Sequence, residues 1–256
     1  MRALVTGASS GLGRDFAREL SRRGWNLILA ARRVPRMEEL AKELKTQVRV
    51  IGADLSDAGQ CEELYRRTCG ERVDLLINCA GFGVFGPFDE TDLGRELAMI
   101  DVDIRALHIL TKLFYRDFKR RDSGYLLNVA SSAAFQPGPL LAGYYASKAY
   151  VLRLTQALAE ELRRDRSRVY IGALCPGPVR TEFDEVAGVR FSVRGLSSAY
   201  VARYALDRMF RRETVIVPGF LMKAARFAER FLPDAAVVRA AYHMQRRKED
   251  GGERKG

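Results

Sequence analysis

Apolar residues fall along this chain in two alternating rhythms. Short aliphatic runs have the length and β-branched content of strands: Ala3 to Thr6, Asn26 to Ala31, Val48 to Gly52, Val73 to Asn78, Tyr125 to Ala130, Val169 to Leu174 and Thr214 to Val217. Between them lie segments of helical length and spacing, near Gly11 to Arg23, Pro35 to Lys45, Ala58 to Cys69, Leu93 to Arg120, Tyr144 to Arg164 and Ser198 to Arg211. Strand and helix in alternation mean parallel strands with both faces covered. The pattern predicts an α/β fold, a doubly wound parallel sheet of about seven strands in a single domain spanning 1–219.

Two segments break the rhythm. Residues 182–197 form an irregular stretch after the sixth strand, and long loops in compact domains often bind ligands. Phe183, Val186, Val189, Phe191 and Leu196 would give it an apolar underside, either as a lid or as the anchors of a surface loop. After Pro218-Gly219 a C-terminal helical extension follows, 220–249, expected as two helices split at Pro233, with 250–256 expected to be a disordered tail. Within it Phe220, Ala224, Phe227 and Phe231 recur at helical spacing, interleaved with Lys223, Arg226 and Arg230. Packing of this stripe on its own domain or on a partner subunit is the favoured reading; peripheral contact with an anionic membrane is the alternative.

Composition narrows the function classes. Of 256 residues 47% are hydrophobic and 29% charged, yet no apolar run reaches the roughly 20 residues of a membrane span. Strand-like sequence from Arg2 leaves no room for a signal peptide, so the expected location is cytoplasmic. The net charge of +11 raises nucleic acid as a partner, but acids are mixed with the arginines, as in AEELRRDRSR, and no nucleic-acid-binding motif is visible; none is expected. Cys61, Cys69, Cys79 and Cys175 have no CxxC spacing, which argues against a metal site or disulfide framework. His108 sits in an apolar run and reads as a packed or interface residue, and His243 lies in a basic helix.

Candidate chemistry lies in two stretches. The first strand runs into TGASSGLG, Thr6 to Gly13, and then into a helix. Glycines between a strand and a helix start let backbone approach a pyrophosphate, so Gly7, Ser9, Ser10, Gly11, Leu12 and Gly13 are candidate dinucleotide contacts in a Rossmann-like fold. The second stretch is GYYASKAY, Gly143 to Tyr150. Tyr144 and Tyr145 precede Lys148 by four and three residues, and both spacings share a helix face, so geometry alone does not choose between them.

The glycine spacing resembles the TGxxxGxG pattern of the short-chain dehydrogenase/reductase family, and further segments agree in order along residues 2–217. Asp54 and Leu55 look like the family's contacts beside the adenine. Asn78-Cys79-Ala80-Gly81 matches NNAG with one replacement, giving Asn78, Ala80 and Gly81. Ser131 precedes Tyr144 by 13 residues, Tyr144 and Lys148 form YxxxK, and Pro176-Gly177-Pro178-Val179 with Thr181 resembles the loop over the nicotinamide. The resemblance implies that Ser131, Tyr144 and Lys148 are catalytic, with Tyr144 and Lys148 also touching the cofactor and Tyr145 left to packing. A lysine ammonium one turn away is expected to bring the tyrosine pKa down.

Cofactor choice is read at LILAARR, where no carboxylate ends the second strand but Arg32 and Arg33 follow. An arginine fork suits the extra phosphate of NADP, with Arg32 the first choice, helped by Arg33 or Ser10. Asp103 stands where most members of the family carry asparagine, the fourth catalytic position. Aspartate there should favour the ammonium form of Lys148, and it gives the one argument for an alternative, a catalytically weak NADP-binding regulatory or scaffold protein. GFGVFGPFDET, NVASSAAFQPGP and ALCPGPVRTEF resemble bacterial oxidoreductases related to 17β-hydroxysteroid and long-chain 3-oxoacyl reductases, which implies a hydrophobic ketone as the small-molecule substrate. The apolar helix Leu97 to Phe118 resembles the family's subunit interface, implying a homodimer or homotetramer.

Overall fold

The computed structural model describes residues 1–183, 195–229 and 231–253. The main sheet has seven parallel strands in the order β3-β2-β1-β4-β5-β6-β9. They are β1 (Arg2–Thr6), β2 (Asn26–Ala31), β3 (Val48–Gly52), β4 (Leu75–Asn78), β5 (Tyr125–Val129), β6 (Tyr170–Leu174) and β9 (Val215–Ile216). Helices α1 (Gly11–Arg22), α2 (Val34–Glu43), α3 (Ala58–Thr68), α4 (Leu93–Ile100), α5 (Leu107–Arg120), α6 (Ala142–Arg164) and α7 (Ser198–Phe210) connect and cover them. A short parallel pair, β7 (Val179–Arg180) with β8 (Leu196–Ser197), stands apart from the main sheet.

The inner strands are apolar on both faces because both faces are covered. Side chains alternate along each strand, so Ala3, Val5, Leu27 and Leu29 join Phe16 and Leu20 of α1 and Val201, Ala205 and Met209 of α7 in one core. Leu4, Ile28 and Leu76 point the other way, to Leu64 of α3 and Phe114 and Phe118 of α5.

Four expectations change. The single helix expected over Leu93 to Arg120 is broken by a π-helical turn, Asp101–Ala106, between α4 and α5. Such a wide turn accommodates an extra residue, and here it carries Asp103 fully buried. Of the irregular segment, Leu196 pairs with Val179 as a strand; Val186, Val189 and Phe191 lie outside the described residues.

The extension does form two helices about Pro233, α8 (Phe220–Glu229) and α9 (Asp234–Glu253), but α9 continues to Glu253 where a disordered tail was expected. Finally, the phenylalanine stripe of α8 and the turn after it does not pack on its own domain: Phe220, Phe227 and Phe231 are 87%, 63% and 73% exposed. Met222 instead turns inward, against Gly177.

Candidate active site

The sheet order reverses between β1 and β4, the point at which doubly wound sheets open a crevice at the carboxyl ends of their strands. Thr6 at the end of β1 ties its two walls together, since its Oγ1 accepts the backbone N–H groups of Cys79 and Ala80 at 3.0 and 3.2 Å. The glycines are there because backbone meets backbone. A Cβ on Gly7 would lie 2.8 Å from Ala80 Cα, and one on Gly13 would lie 2.3 Å from the Gly7 carbonyl oxygen. Gly7 also has φ +67°, the left-handed region.

Helix α1 begins at this turn without a side-chain cap from Ser10 and without an acid in its first turn. Its N–H groups and the positive end of its dipole thus face the crevice uncompensated by side chains, which fits a dinucleotide diphosphate. At the same end of the sheet Arg33 donates from Nε to Ser9 Oγ at 3.3 Å and from Nη2 to Ser10 Oγ at 2.7 Å. Its Nη1 meets Glu182 at 2.9 Å, and Arg36 Nη1 meets the same carboxylate at 2.8 Å. The hydrogen bond from Arg33 holds the Glu182 carboxyl below its usual range. The arginine fork is thus held beside Ser9 and Ser10, with Glu182 on its other arm. Arg33, not Arg32, is joined to the serines; Arg32 is an exposed neighbour.

Other expected cofactor residues divide into those that face the crevice and those that brace it. Asp54 begins the turn into α3, its Oδ1 accepting Ser56 N–H and Oγ–H at 3.0 and 2.8 Å, with Leu55 buried beside it. The Asn78 side chain points into the protein, donating to Asn128 Oδ1 at 2.9 Å and Thr111 Oγ1 at 3.1 Å, while Asn128 donates to Thr155 Oγ1 at 3.0 Å. This buried polar string joins β4, α5, β5 and α6. Ala80 and Gly81 continue the wall, and a Cβ on Gly81 would meet Asp103 Oδ1 at 2.6 Å and Lys148 Nζ at 3.0 Å. On the opposite side Pro176 accepts from Ser132 N–H at 2.7 Å, Gly177 abuts Met222, and Val179 leads to Thr181, which packs on Gly11.

Helix α6 presents Tyr144, Ser147 and Lys148 within its first two turns. Lys148 Nζ lies 3.0 Å from Asp103 Oδ2, with both side chains almost wholly buried. Asp103 also accepts Phe82 N–H at 3.1 Å and Ser147 Oγ–H at 3.1 Å. Burial raises the Asp103 carboxyl above the ordinary range, against the opposing pull of Lys148, Ser147 and Phe82. Burial is the strongest single influence on Lys148 and works against its charge, but Asp103 together with Tyr144 and Cys79 outweighs it, and the Lys148 pKa is raised. The direction of this shift favours the ammonium form of Lys148.

Lys148 Nζ sits 5.5 Å from the Tyr144 ring centroid, and Phe183 covers that ring with a centroid distance of 5.2 Å. The Tyr144 hydroxyl is raised above its usual pKa, because desolvation outweighs the downward pulls of Lys148 and of a hydrogen bond with Ser131. This corrects the expectation of a lowered value: the ammonium is close, but so is the apolar cover. Tyr145 is placed differently. Its ring lies directly on Gly138, where any Cβ would come within 2.3 Å, and its hydroxyl accepts from Gln245 of α9 at 2.6 Å.

Sequence reading missed Arg36, Glu182, Ser147 and Gln245. Ser147 was within reach, three residues beyond Tyr144 and next to Lys148. The others meet their partners across 100 or more residues, and no local pattern signals that. Burial pushes the Cys79 and Cys175 thiols up to about 12, which makes them poor nucleophiles at neutral pH. His108 is exposed and bonds Tyr150 at 2.6 Å, away from these groups.

The family model for short chain dehydrogenases matches residues 1–188. An uncharacterised oxidoreductase of Staphylococcus epidermidis is 32% identical over 211 residues, covering 80% of this chain and 90% of that one. A very-long-chain 3-oxoacyl-CoA reductase of Anas platyrhynchos is 29% identical, covering 74% of this chain and 63% of its own length. Among solved structures, a short-chain dehydrogenase from Sphingobium yanoikuyae in complex with NADPH superposes with a TM-score of 0.80 at 29% identity, covering 91% of this chain and 97% of that one.

Proposed function

This chain belongs to the short-chain dehydrogenase family of nicotinamide-dependent oxidoreductases, and from that membership we propose that it is an NADPH-dependent reductase of a hydrophobic ketone or 3-oxoacyl compound, running in reverse on the matching secondary alcohol. The observation that carries this reading is the convergence of Ser131, Tyr144 and Lys148 on one crevice beside an uncapped helix start.

The residues suit each part of the task. The glycine turn and α1 N-terminus receive the diphosphate, and Arg33, with Ser10 and the neighbouring Arg32, receives the extra phosphate of NADPH. When bound, the nicotinamide supplies the hydride. Tyr144, protonated at neutral pH, donates a proton to the carbonyl oxygen as negative charge grows there. Ser131 donates a hydrogen bond to the same oxygen, and Lys148, kept charged by Asp103, steadies the phenolate that the proton leaves behind. Phe183 above Tyr144 gives the substrate side an apolar wall. The exposed Leu93, Leu97 and Ile100 of α4 supply a face for a homodimer or homotetramer.

The test is NADPH oxidation by the purified protein over ketones from short 3-oxoesters to steroids and long-chain 3-oxoacyl thioesters. Turnover with the larger apolar ketones, and with NADPH in preference to NADH, is expected. Tight NADPH binding without reduction of any of them would count against the proposal.

A further inference from the structure

We infer that α8 and the turn after it form a docking surface for an anionic lipid bilayer. A helix that merely covers its own domain turns its apolar stripe inward. Here the arrangement is inverted. Phe220, Phe227, Phe231 and Leu232 are exposed at 87%, 63%, 73% and 52%, and Phe227 and Phe231 stack edge to face at 5.3 Å. The basic residues reach toward the domain: Arg226 lies 4.6 Å from the Phe135 ring centroid and Lys223 Nζ lies 5.8 Å from that of Tyr204. Large apolar side chains left in water at helical spacing are a cost that a partner removes.

The net charge of the segment selects the partner. Between positions 220 and 248 there are seven lysines and arginines and two acids, Glu229 and Asp234, in a chain of net charge +11. A second copy would bring like charge against like. An anionic bilayer takes the phenylalanines among its acyl chains, and its negative surface attracts the net positive charge of the segment. The surface also adjoins the catalytic end of the molecule, since Met222 of α8 touches Gly177 and Gln245 of α9 holds Tyr145. A ketone carried in the bilayer would therefore enter beside Tyr144. That last step rests on the proposed reductase function; the docking does not.

The experiment is co-sedimentation of the full chain with vesicles of phosphatidylcholine, with and without phosphatidylglycerol, at low and high salt. The wild type should bind the anionic vesicles, bind neutral ones far more weakly, and lose affinity as salt rises. The triple variant Phe220→Ser, Phe227→Ser, Phe231→Ser should keep the wild-type melting temperature yet lose affinity by about tenfold or more per phenylalanine. Lys223→Glu should weaken binding without touching the apolar stripe. Failure of the wild type to bind anionic vesicles, or equal binding by the triple variant, would overturn the inference. So would a wild-type dimer that the triple variant dissociates while vesicles bind neither form, since a second copy would then cover the face.

Discussion

The two walls of the crevice are held by different means. On the β1 and β4 side backbone lies on backbone, and Gly7 and Gly13 leave no room for a single carbon against Ala80 and the Gly7 carbonyl. On the side built after Thr181, contacts run through side-chain tips: Phe183 on Tyr144, Met222 on Gly177, Gln245 on Tyr145. A wall of backbone tolerates few sequences and fits one invariant ligand, the cofactor. A wall of side chains changes shape with each replacement, which is how one fold serves many substrates.

The largest effect should come from the backbone wall. Gly13→Ala forces its methyl against the Gly7 carbonyl and should cost about 3 kcal/mol of stability, seen in denaturant unfolding, together with NADPH binding. Gly177→Ala meets only the flexible tip of Met222 and should cost under about 1 kcal/mol. Equal losses would erase the distinction between the walls. Next in size, Arg33→Ala should weaken NADPH roughly tenfold to a hundredfold and leave NADH little changed, with a smaller loss of the same kind for Arg32→Ala, measured by fluorescence titration. Equal losses of NADPH and NADH would place the extra phosphate elsewhere.

The smallest effect is the most diagnostic for the buried pair. Asp103 raises the Lys148 pKa, so removing its charge lowers that pKa and the ammonium is lost at lower pH. Asp103→Asn should therefore shift the alkaline limb of the rate profile to lower pH while neutral turnover is kept or rises. A collapse at neutral pH would show that the carboxylate has a role of its own.

The same contrast explains what the sequence made legible. Strands β1, β2 and β3 and the glycine turn were readable because their demands are local: a short apolar run of strand length, and glycine where a Cβ cannot fit. Boundaries slipped where the chain is short or strained, as at β9 and at the π-turn that buries Asp103, because a turn of helix widened for one carboxylate leaves the apolar period nearly unchanged. The Tyr144 pKa ran opposite to expectation because proximity to Lys148 is written in the spacing, whereas the cover from Phe183, 39 residues away, is not. Arg33 displaced Arg32 as the residue joined to the serines for a related reason, since two adjacent arginines at the end of a strand point apart and sequence does not say which faces Ser10.

The central claim is that Tyr144 is the proton donor and Tyr145 a packing residue. It is tested most directly by single-turnover NADPH oxidation with the best ketone substrate in Tyr144→Phe and Tyr145→Phe. The account predicts a fall of about a hundred- to ten-thousandfold for Tyr144→Phe with NADPH affinity preserved, and a rate near wild type for Tyr145→Phe. A Tyr144→Phe enzyme that turns over like the wild type, or a Tyr145→Phe enzyme that is the inactive one, would contradict it.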